Sequence, residues 1–143
     1  TSRRLDANLL YQVALRCPQY SFVMVGGEDD FFKKHPLHSL NNVYFLGQKK
    51  QIETISYMSH FDVCMNPQLV NEITIGNYPR KVDEYLALGK PVIATKTLTM
   101  DLFTGYVWNC LGADEYIQAI NEALIPTSSD IIKKRIEFAH THT

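Results

Sequence analysis

Residues 79–95 read PRKVDEYLALGKPVIAT, a helix that passes through a glycine into a strand. Pro79 suits the first turn of a helix, because the N–H that proline lacks would have no partner there. Gly89 is typical of a helix end, and the PVIAT run after it consists almost entirely of β-forming residues. A helix followed at once by a short apolar strand is typical of α/β domains.

The rest of the chain alternates in the same way between apolar runs and stretches with helical periodicity. Strands are predicted at 20–27 (YSFVMVGG), 41–48 (NNVYFLGQ), 62–68 (DVCMNPQ), 91–95 and 106–110 (YVWNC), and helices at 5–17, 49–61, 79–89, 113–125 and 128–140. Because the strands are continuously apolar, both faces of their sheet should be covered. The sequence therefore predicts a single α/β domain, a Rossmann-like open parallel sheet with helices on both faces.

Helical periodicity also selects the side chains that should face the sheet in two of these helices. The selected residues are Ile52, Ile55, Tyr57 and Met58 in the helix at 49–61, and Tyr85, Leu86 and Ala87 in the helix at 79–89. Glu84 adjoins the second set, which places it at the edge of the buried stripe.

Composition narrows the classes of function. The 143 residues fit one domain, and a net charge of −1 gives no basis for nucleic-acid binding. Cys17, Cys64 and Cys110 form an odd, widely spaced set, which argues against a disulfide framework and favours a reducing, cytoplasmic location.

The HPLH segment at 35–38 has no third ligand nearby, so it is assigned to a surface loop and no metal site is predicted. No stretch approaches the ~20 apolar residues of a membrane span, so any membrane association is expected to be peripheral, at the inner face.

The chain opens on a helix, whereas a doubly wound α/β unit normally opens on a strand. We therefore expect the first strand to lie upstream of Thr1. The chain is accordingly interpreted as part of a longer protein.

Ligands of open parallel sheets bind outside the carboxyl ends of the strands. Here those ends read Gly26-Gly27, Gly47-Gln48, Asn66-Pro67-Gln68 and Thr95-Lys96. Glycine at two of the four ends would allow a ligand to approach closely, although the same glycines could simply form strand-to-helix turns. The loop at 68–78 follows the third end and is long enough to indicate function.

Arg80 and Lys81 place two positive charges at the start of a helix whose N–H groups already carry a partial positive charge. That placement costs roughly 0.3–1 kcal/mol for a charge in the first turn, which suggests that an anion such as a diphosphate binds there. Glu84 lies one turn further on and could accept hydrogen bonds from vicinal hydroxyls such as those of a ribose. A solvated cluster of salt bridges is the alternative interpretation.

Four blocks of the sequence carry a family resemblance. KVDEYLALGKPVIAT resembles the signature of the carboxy-terminal, donor-binding domain of GT-B-fold glycosyltransferases in the large retaining group 1 family. Residues 78–92 nearly repeat the pattern N/Y-P-x-K-x-x-E-Y-L-A-x-G-K-P-V that close members share. The segments CPQYSFVMVGGED, NNVYFLGQ and ISYMSHFDVCMNP are similar to three further blocks of that domain, in the same order along the chain.

The resemblance implies a binding site for a nucleoside-diphosphate sugar. Glu84 would hold the ribose hydroxyls, and Arg80, Lys81 and the N–H groups after Pro79 would lie near the diphosphate. The other residues that it implies are Gly26 and Gly27 where the chain passes close to the donor, Leu46 and Gly47 beside the base, Pro67 and Gln68 on the sugar side, and Tyr78 before the helix. Many members place a sugar-contacting glutamate eight residues before the ribose-binding one, and this chain has Gly76 there, so no catalytic residue is assigned.

The resemblance further implies hexosyl transfer from the nucleotide sugar to an acceptor, in polysaccharide or glycoconjugate synthesis and without a cofactor. The acceptor would bind to an amino-terminal domain that is expected to lie outside this chain. A sugar-nucleotide epimerase shares the GT-B fold and remains an alternative. A receiver-like α/β signalling domain is a second alternative, although a receiver needs a phosphate-accepting Asp where this chain reads MNPQ.

Overall fold

The computed structural model describes residues 5–69 and 79–142. The helices and strands in chain order are α1 (Ala7–Arg16), β1 (Phe22–Met24), α2 (Asp30–Lys33), β2 (Val43–Phe45), α3 (Gln51–Ser59), β3 (Cys64–Asn66), α4 (Arg80–Ala87), β4 (Val92–Thr95), β5 (Trp108–Cys110), α5 (Gly112–Ala123) and α6 (Ser129–His142), with 3₁₀ turns at Pro36–Ser39 and Thr99–Phe103. The predicted strands and long helices are confirmed, with strands shorter than predicted. The sequence patterns did not predict α2 or the 3₁₀ turns.

Every strand pair among the described residues is parallel, as predicted. β1 pairs with β2, with Phe22 opposite Val43, and β3 pairs with β4, with Cys64 opposite Val92. β4 also pairs with β5, so the strands form a two-stranded sheet, β1–β2, and a three-stranded sheet, β3–β4–β5. Parallel strands connected through helices confirm the α/β fold.

Helices cover both faces of the three-stranded sheet, as predicted. β4 is buried at each of its four positions. Ile93 packs into one apolar cluster with α1 and α5, and its neighbours Val92 and Ala94 pack into another with α4 and α6. Successive side chains of a strand point to opposite faces, so the two helix pairs lie on opposite sides of β4.

A tight contact joins the end of α4 to α6. Gly89 follows the last residues of α4 with φ +73°, the left-handed conformation that commonly ends a helix. Arg135 of α6 is buried and donates from Nη1 to the Gly89 carbonyl oxygen over 3.1 Å. A Cβ atom on Gly89 would lie only 2.7 Å from Cγ2 of Ile132, so α6 can approach this closely only because residue 89 is glycine.

The predicted inward faces of two helices need correction. In α3, Met58 is buried, but Ile52 is 77% exposed and Ile55 and Tyr57 are also exposed. Periodicity identifies an apolar face but not what covers it, and of the predicted residues only Ile55 and Met58 line the cavity beside α3. In α4, Leu86 is buried as predicted and Tyr85 is half-buried, whereas Ala87 is exposed.

The buried stripe of α4 explains the error at Ala87. Val82, Asp83 and Leu86 are the buried residues of this helix. Each residue turns about 100° around a helix, so Ala87 lies well beyond the stripe that Val82 and Leu86 define. By the same count Glu84 lies on the exposed side of α4, nearly opposite Val82 and Leu86, and not at the edge of the buried stripe where the sequence placed it.

The prediction that residues 35–38 form a surface loop is wrong for His35, which is buried. Its Nδ1 accepts a hydrogen bond from the Leu37 N–H over 3.1 Å, and its Nε2 lies 2.9 Å from Oδ1 of Asn8 in α1. Because Nδ1 accepts, Nε2 carries the proton and donates to Asn8. His35 therefore caps the first 3₁₀ turn and connects it to α1.

Candidate functional site

The carboxyl ends of β1 and β2 lie side by side. The Leu46 N–H donates to the Met24 carbonyl oxygen over 2.9 Å, and the Gly26 N–H donates to the Gly47 carbonyl oxygen over the same distance. Gly26 has φ +127° and Gly47 φ +76°, conformations that residues with a side chain rarely adopt. These two glycines therefore turn the chain sharply where the strands end.

A cavity of about 310 Å³ opens beside these turns. Its lining comes from four elements of the chain: Val25 and Gly26 after β1, Gln48 and Lys49 after β2, Gln51, Thr54, Ile55 and Met58 of α3, and Lys81 and Glu84 of α4. Three of the residues predicted from the sequence, Gly26, Lys81 and Glu84, thus border the same space. We call this space the α4 cavity.

Lys81 and Glu84 interact on the exposed side of α4. The Lys81 Nζ lies 3.7 Å from Oε2 of Glu84, and the two side chains are 58% and 44% exposed. An ion pair that is this long and this exposed contributes about 0–1 kcal/mol. A ligand could therefore replace either partner at small cost.

A larger cavity of about 1090 Å³ adjoins the other side of the α4 start. Pro67 and Gln68, at the carboxyl end of β3, line it together with Pro79, Arg80 and Lys81. Lys81 borders both cavities, so the start of α4 lies between the ends of β1 and β3. Two cationic side chains and the end of a helix dipole are concentrated there, which favours an anion.

Pro79 precedes α4 and lies outside its first turn. The first helical residue is Arg80, and Pro79 has φ −84° and ψ 78°, which is not a helical conformation. Among the residues that the structure describes, no side chain caps this helix start. The difference of one residue from the prediction is typical of helix boundaries and leaves the first-turn N–H groups in place.

Other predicted residues have different locations. Gly27, Leu46 and Gly47 lie in the turns after β1 and β2 and do not line either cavity described above. Tyr78, Gly76 and most of the loop at 68–78 fall outside the described residues. Gln48, which the sequence identified only as part of a strand end, lines the α4 cavity, and so does Thr54, which no sequence pattern singled out.

Two ionisable groups that line the larger cavity remain protonated at neutral pH. Burial raises the pKa of the Cys64 thiol to about 12, against the smaller opposing effect of the Lys90 charge. Burial also raises the pKa of Tyr85, and the nearby Cys64 and Glu84 add to the shift. These groups shape the cavity wall and are poor candidates for a general base.

Two classes of site are not found in the described part of the chain. Residues 5–69 and 79–142 contain no group of three His, Cys, Asp or Glu side chains placed to hold a metal ion. No helix within the same ranges has the length and apolar character to cross a bilayer.

Comparison with known proteins identifies relatives of this chain. A family model described as "Glycosyl transferases group 1" matches residues 7–128. The putative teichuronic acid biosynthesis glycosyltransferase TuaH of Bacillus subtilis (strain 168) is 30% identical over 122 residues, which cover 82% of this chain and 30% of TuaH.

Solved structures agree in fold. The crystal structure of Anabaena Alr3699/HepE in complex with UDP superposes with a TM-score of 0.76 at 22% identity, over 96% of this chain and 42% of that one. The complex of the same protein with UDP-glucose gives a TM-score of 0.75 at 24% identity, over the same shares of the two chains. This chain therefore spans less than half the length of the relatives that it matches.

Proposed function

The chain belongs to the glycosyl transferases group 1 family, and we propose that it forms the nucleotide-sugar-binding part of a sugar-transferring enzyme. The donor would be a nucleoside-diphosphate sugar, and the transferred group a hexosyl residue. The acceptor would bind to an amino-terminal domain outside this chain, since the chain spans only 30% of TuaH and 42% of HepE. The names of TuaH and of the HepE complexes support polysaccharide synthesis and a UDP-sugar donor.

One observation carries the proposal: the start of α4 presents Arg80, Lys81 and Glu84 at the carboxyl ends of parallel strands. Lys81 borders the cavities at the ends of both β1 and β3, and Glu84 borders the α4 cavity. Ligands of open parallel sheets bind at this edge. Positive charge beside a carboxylate suits a diphosphate linked to a ribose, because the phosphates need cationic donors whereas the ribose hydroxyls need an acceptor.

The proposed roles follow from these positions. Arg80, Lys81 and the first N–H groups of α4 would contact the diphosphate, and Glu84 would accept hydrogen bonds from the ribose hydroxyls. Gly26 would allow the nucleoside to approach the end of β1. Pro67 and Gln68 line the larger cavity and would face the sugar.

In the reaction, this chain would mainly stabilise the leaving group. When the bond between the sugar and the diphosphate breaks, negative charge grows on the diphosphate, and preorganised cations lower the energy of that state. We assign no catalytic acid or base to the described residues. Three buried thiols suit a reducing, cytoplasmic setting for the enzyme.

Calorimetric titration with UDP, and with uridine as the matched ligand without phosphates, tests the proposal. Lys81→Ala should weaken UDP binding about tenfold, the loss of one charge-assisted contact, and leave uridine binding nearly unchanged. Glu84→Ala should weaken both ligands, and its effect should vanish with 2′,3′-dideoxy-UDP. GDP and ADP in place of UDP then report the preference for the base.

Two substitutions in α6 serve as controls for the change of charge. Lys133 and Glu137 are exposed on that helix, so Lys133→Ala and Glu137→Ala repeat the two charge changes away from α4. Both control variants should bind UDP like the parent chain. Equal losses from Lys81→Ala and Lys133→Ala would contradict a specific diphosphate site at α4.

A further inference from the structure

The two helices that line the α4 cavity begin at the same edge of the sheet. α3 leads through a short connection into β3, α4 leads in the same way into β4, and these two strands are parallel neighbours. The starts of both helices therefore lie towards the carboxyl ends of the strands, and their own carboxyl ends lie at the opposite edge. The α4 cavity opens between them, with Gln51 and Thr54 on the side of α3 and Lys81 and Glu84 on the side of α4.

α3 is held in place by few apolar contacts. Met58 is its only buried residue, whereas Ile52 and Ile55 are exposed. Because most helices owe their position to a buried apolar face, polar contacts matter more for α3 than for a well-packed helix. One such contact lies at its carboxyl end, where Nζ of Lys90 donates to the carbonyl oxygen of Ser59, the last residue of α3, over 2.7 Å.

Lys90 belongs to the turn that ends α4. Its N–H donates to the Tyr85 carbonyl oxygen over 3.1 Å, and the Gly89 N–H donates to the Leu86 carbonyl oxygen over 2.8 Å. These backbone hydrogen bonds make the turn and the last turn of α4 one unit. The side chain of Lys90 therefore links the carboxyl end of α3 to that of α4.

Arg135 of α6 holds the same turn. It is only 5% exposed, and its Nη1 donates to the Gly89 carbonyl oxygen over 3.1 Å. No acidic side chain within residues 5–69 and 79–142 forms an ion pair with Arg135 or Lys90. A buried cation without an anionic partner is costly, and the bond to Gly89, at the negative end of the α4 dipole, compensates for part of this cost.

The two cations thus join α3 and α4 at their carboxyl ends, while the α4 cavity separates the helices nearer their starts. Two rigid helices that are fixed together at one end are spaced at the other end by the angle between them. The contacts of Lys90 and Arg135 therefore govern the distance from Glu84 to the side chains of α3 across the cavity.

We propose that Lys90 and Arg135 are positioning residues for the nucleotide donor, which set the width of the α4 cavity by fixing the carboxyl ends of α3 and α4. The inference rests on the proposed function, in which Glu84 accepts hydrogen bonds from the ribose, and it places the nucleoside between the two helices. The diphosphate would contact only the start of α4, through Arg80 and Lys81. The two cations should therefore affect the binding of a whole nucleotide and have little effect on the binding of its phosphate part.

Calorimetric titration of the full chain with UDP and with pyrophosphate tests the role in binding. Arg135→Met and Lys90→Met remove the charges and keep unbranched side chains. The double variant should bind UDP about fivefold or more weakly, and its affinity for pyrophosphate should stay within about twofold of the parent. Lys90→Arg retains a cationic donor to Ser59, so this variant should bind UDP like the parent.

Spin labels report the spacing of the two helices without any ligand. Ile52→Cys in α3 and Ala87→Cys in α4 place labels at exposed positions, and the three native cysteines are buried and should not react. Electron spin resonance then measures the distance between the labels. In the double Met variant this distance should shift or its distribution broaden by about 1–2 Å, the size of ordinary helix displacements, and Lys90→Arg should leave it unchanged.

Val13→Ala controls for a general loss of stability. Val13 is buried in the cluster that α1 and α5 form on the face of β4 opposite α4, so its truncation destabilises the fold without touching α3 or α4. This variant should bind UDP like the parent, and the distance between the labels should stay the same.

Each other outcome overturns the inference. Equal losses of UDP and pyrophosphate affinity in the double variant, or an equal loss of UDP affinity in Val13→Ala, would mean that the two cations only stabilise the fold. Unchanged UDP affinity or an unchanged label distance would mean that their contacts do not set the width of the cavity. A parent chain that binds neither ligand would overturn the proposed function and with it the role in donor binding, whereas the label distance would still show whether the cations hold the helices.

Discussion

In the three-stranded half of the molecule, β4 is buried at every position and has a strand on each side, whereas β1 and β2 in the other half are only partly buried and share one pairing. The strands have similar apolar composition, so their sequences do not explain the contrast. The difference is in the neighbours: α1, α4, α5 and α6 enclose β4, while β1 borders the larger cavity. A parallel strand is closed only when both edges and both faces are covered.

The same contrast locates the candidate site. The buried side of α4 packs against the three-stranded sheet. Lys81 and Glu84 of the same helix border the α4 cavity at the end of β1. A rigid helix holds the charged groups in place, and the open side leaves room for a ligand. We therefore expect substitutions in the three-stranded half, called the closed half below, to change stability most and those in the two-stranded half to change it least.

The largest effect is expected from Gly89→Ala, at the contact between α4 and α6. A methyl group there meets Cγ2 of Ile132 at 2.7 Å, and φ of +73° disfavours any side chain. The strained backbone should cost about 1–2 kcal/mol and the overpacking about 1–3 kcal/mol more. Urea unfolding measures the loss of stability.

A matched substitution isolates the packing part of that loss. Gly112 has a similar φ of +81°, but no atom lies within 4 Å of its added Cβ, so Gly112→Ala should show the backbone cost alone. Ile132→Ala introduced into the Gly89→Ala protein should recover most of the packing part. Equal losses at Gly89 and Gly112 would mean that α6 does not hold α4 closely.

A smaller loss is expected at the carboxyl end of β4. The buried hydroxyls of Thr95 and Tyr116 lie 2.7 Å apart and form a polar contact between β4 and α5. Tyr116→Phe should destabilise the chain by about 1–3 kcal/mol, because the Thr95 hydroxyl loses this partner. The double variant Thr95→Val, Tyr116→Phe should lose less stability than Tyr116→Phe alone, since both partners are then apolar. Denaturant unfolding of the single and double variants measures the coupling energy between the two hydroxyls. Additive losses would show that the two hydroxyls act independently.

The closed half was also the more predictable from sequence. PVIAT predicts a strand buried on both faces because every residue is apolar or β-branched, and Gly89 predicts the helix end because few other residues tolerate its φ. A buried strand and a helix end both depend on the residues in the segment itself. The division into two sheets depends on backbone pairing between distant segments, and the strand patterns contain no information on it.

In the candidate site, too, some residues were identified from local sequence and others depend on tertiary packing. Charge at a helix start drew attention to Lys81 and Glu84, which do line the α4 cavity, because positive side chains are an unusual choice beside the positive end of a helix dipole. The exposure of Ile52 and Ile55 and the position of Thr54 beside the α4 cavity were not predictable, because they depend on what α3 packs against. Nothing in the HPLH segment indicated that His35 would be buried as a cap.

The smallest effect is expected in the two-stranded half, at His35. Burial, with a smaller contribution from the His38 charge, lowers the pKa of His35 below its unfolded value of about 6.5. Asn8, the Leu37 N–H and the rings of Tyr11 and Phe31 surround it, and none of them carries a negative charge. The native state therefore favours neutral His35, whose stabilising effect is present above about pH 6.5 and is lost as the pH falls below it.

Asparagine can also cap Leu37 but does not titrate, so the stability difference between the parent and His35→Asn should shrink by under about 1 kcal/mol from pH 7 to pH 5. Denaturant unfolding at each pH gives this difference, and the NMR titration of the His35 ring gives the pKa. A ring that titrates at or above 6.5 would mean that water reaches His35 and that the two-stranded half is open on this side as well.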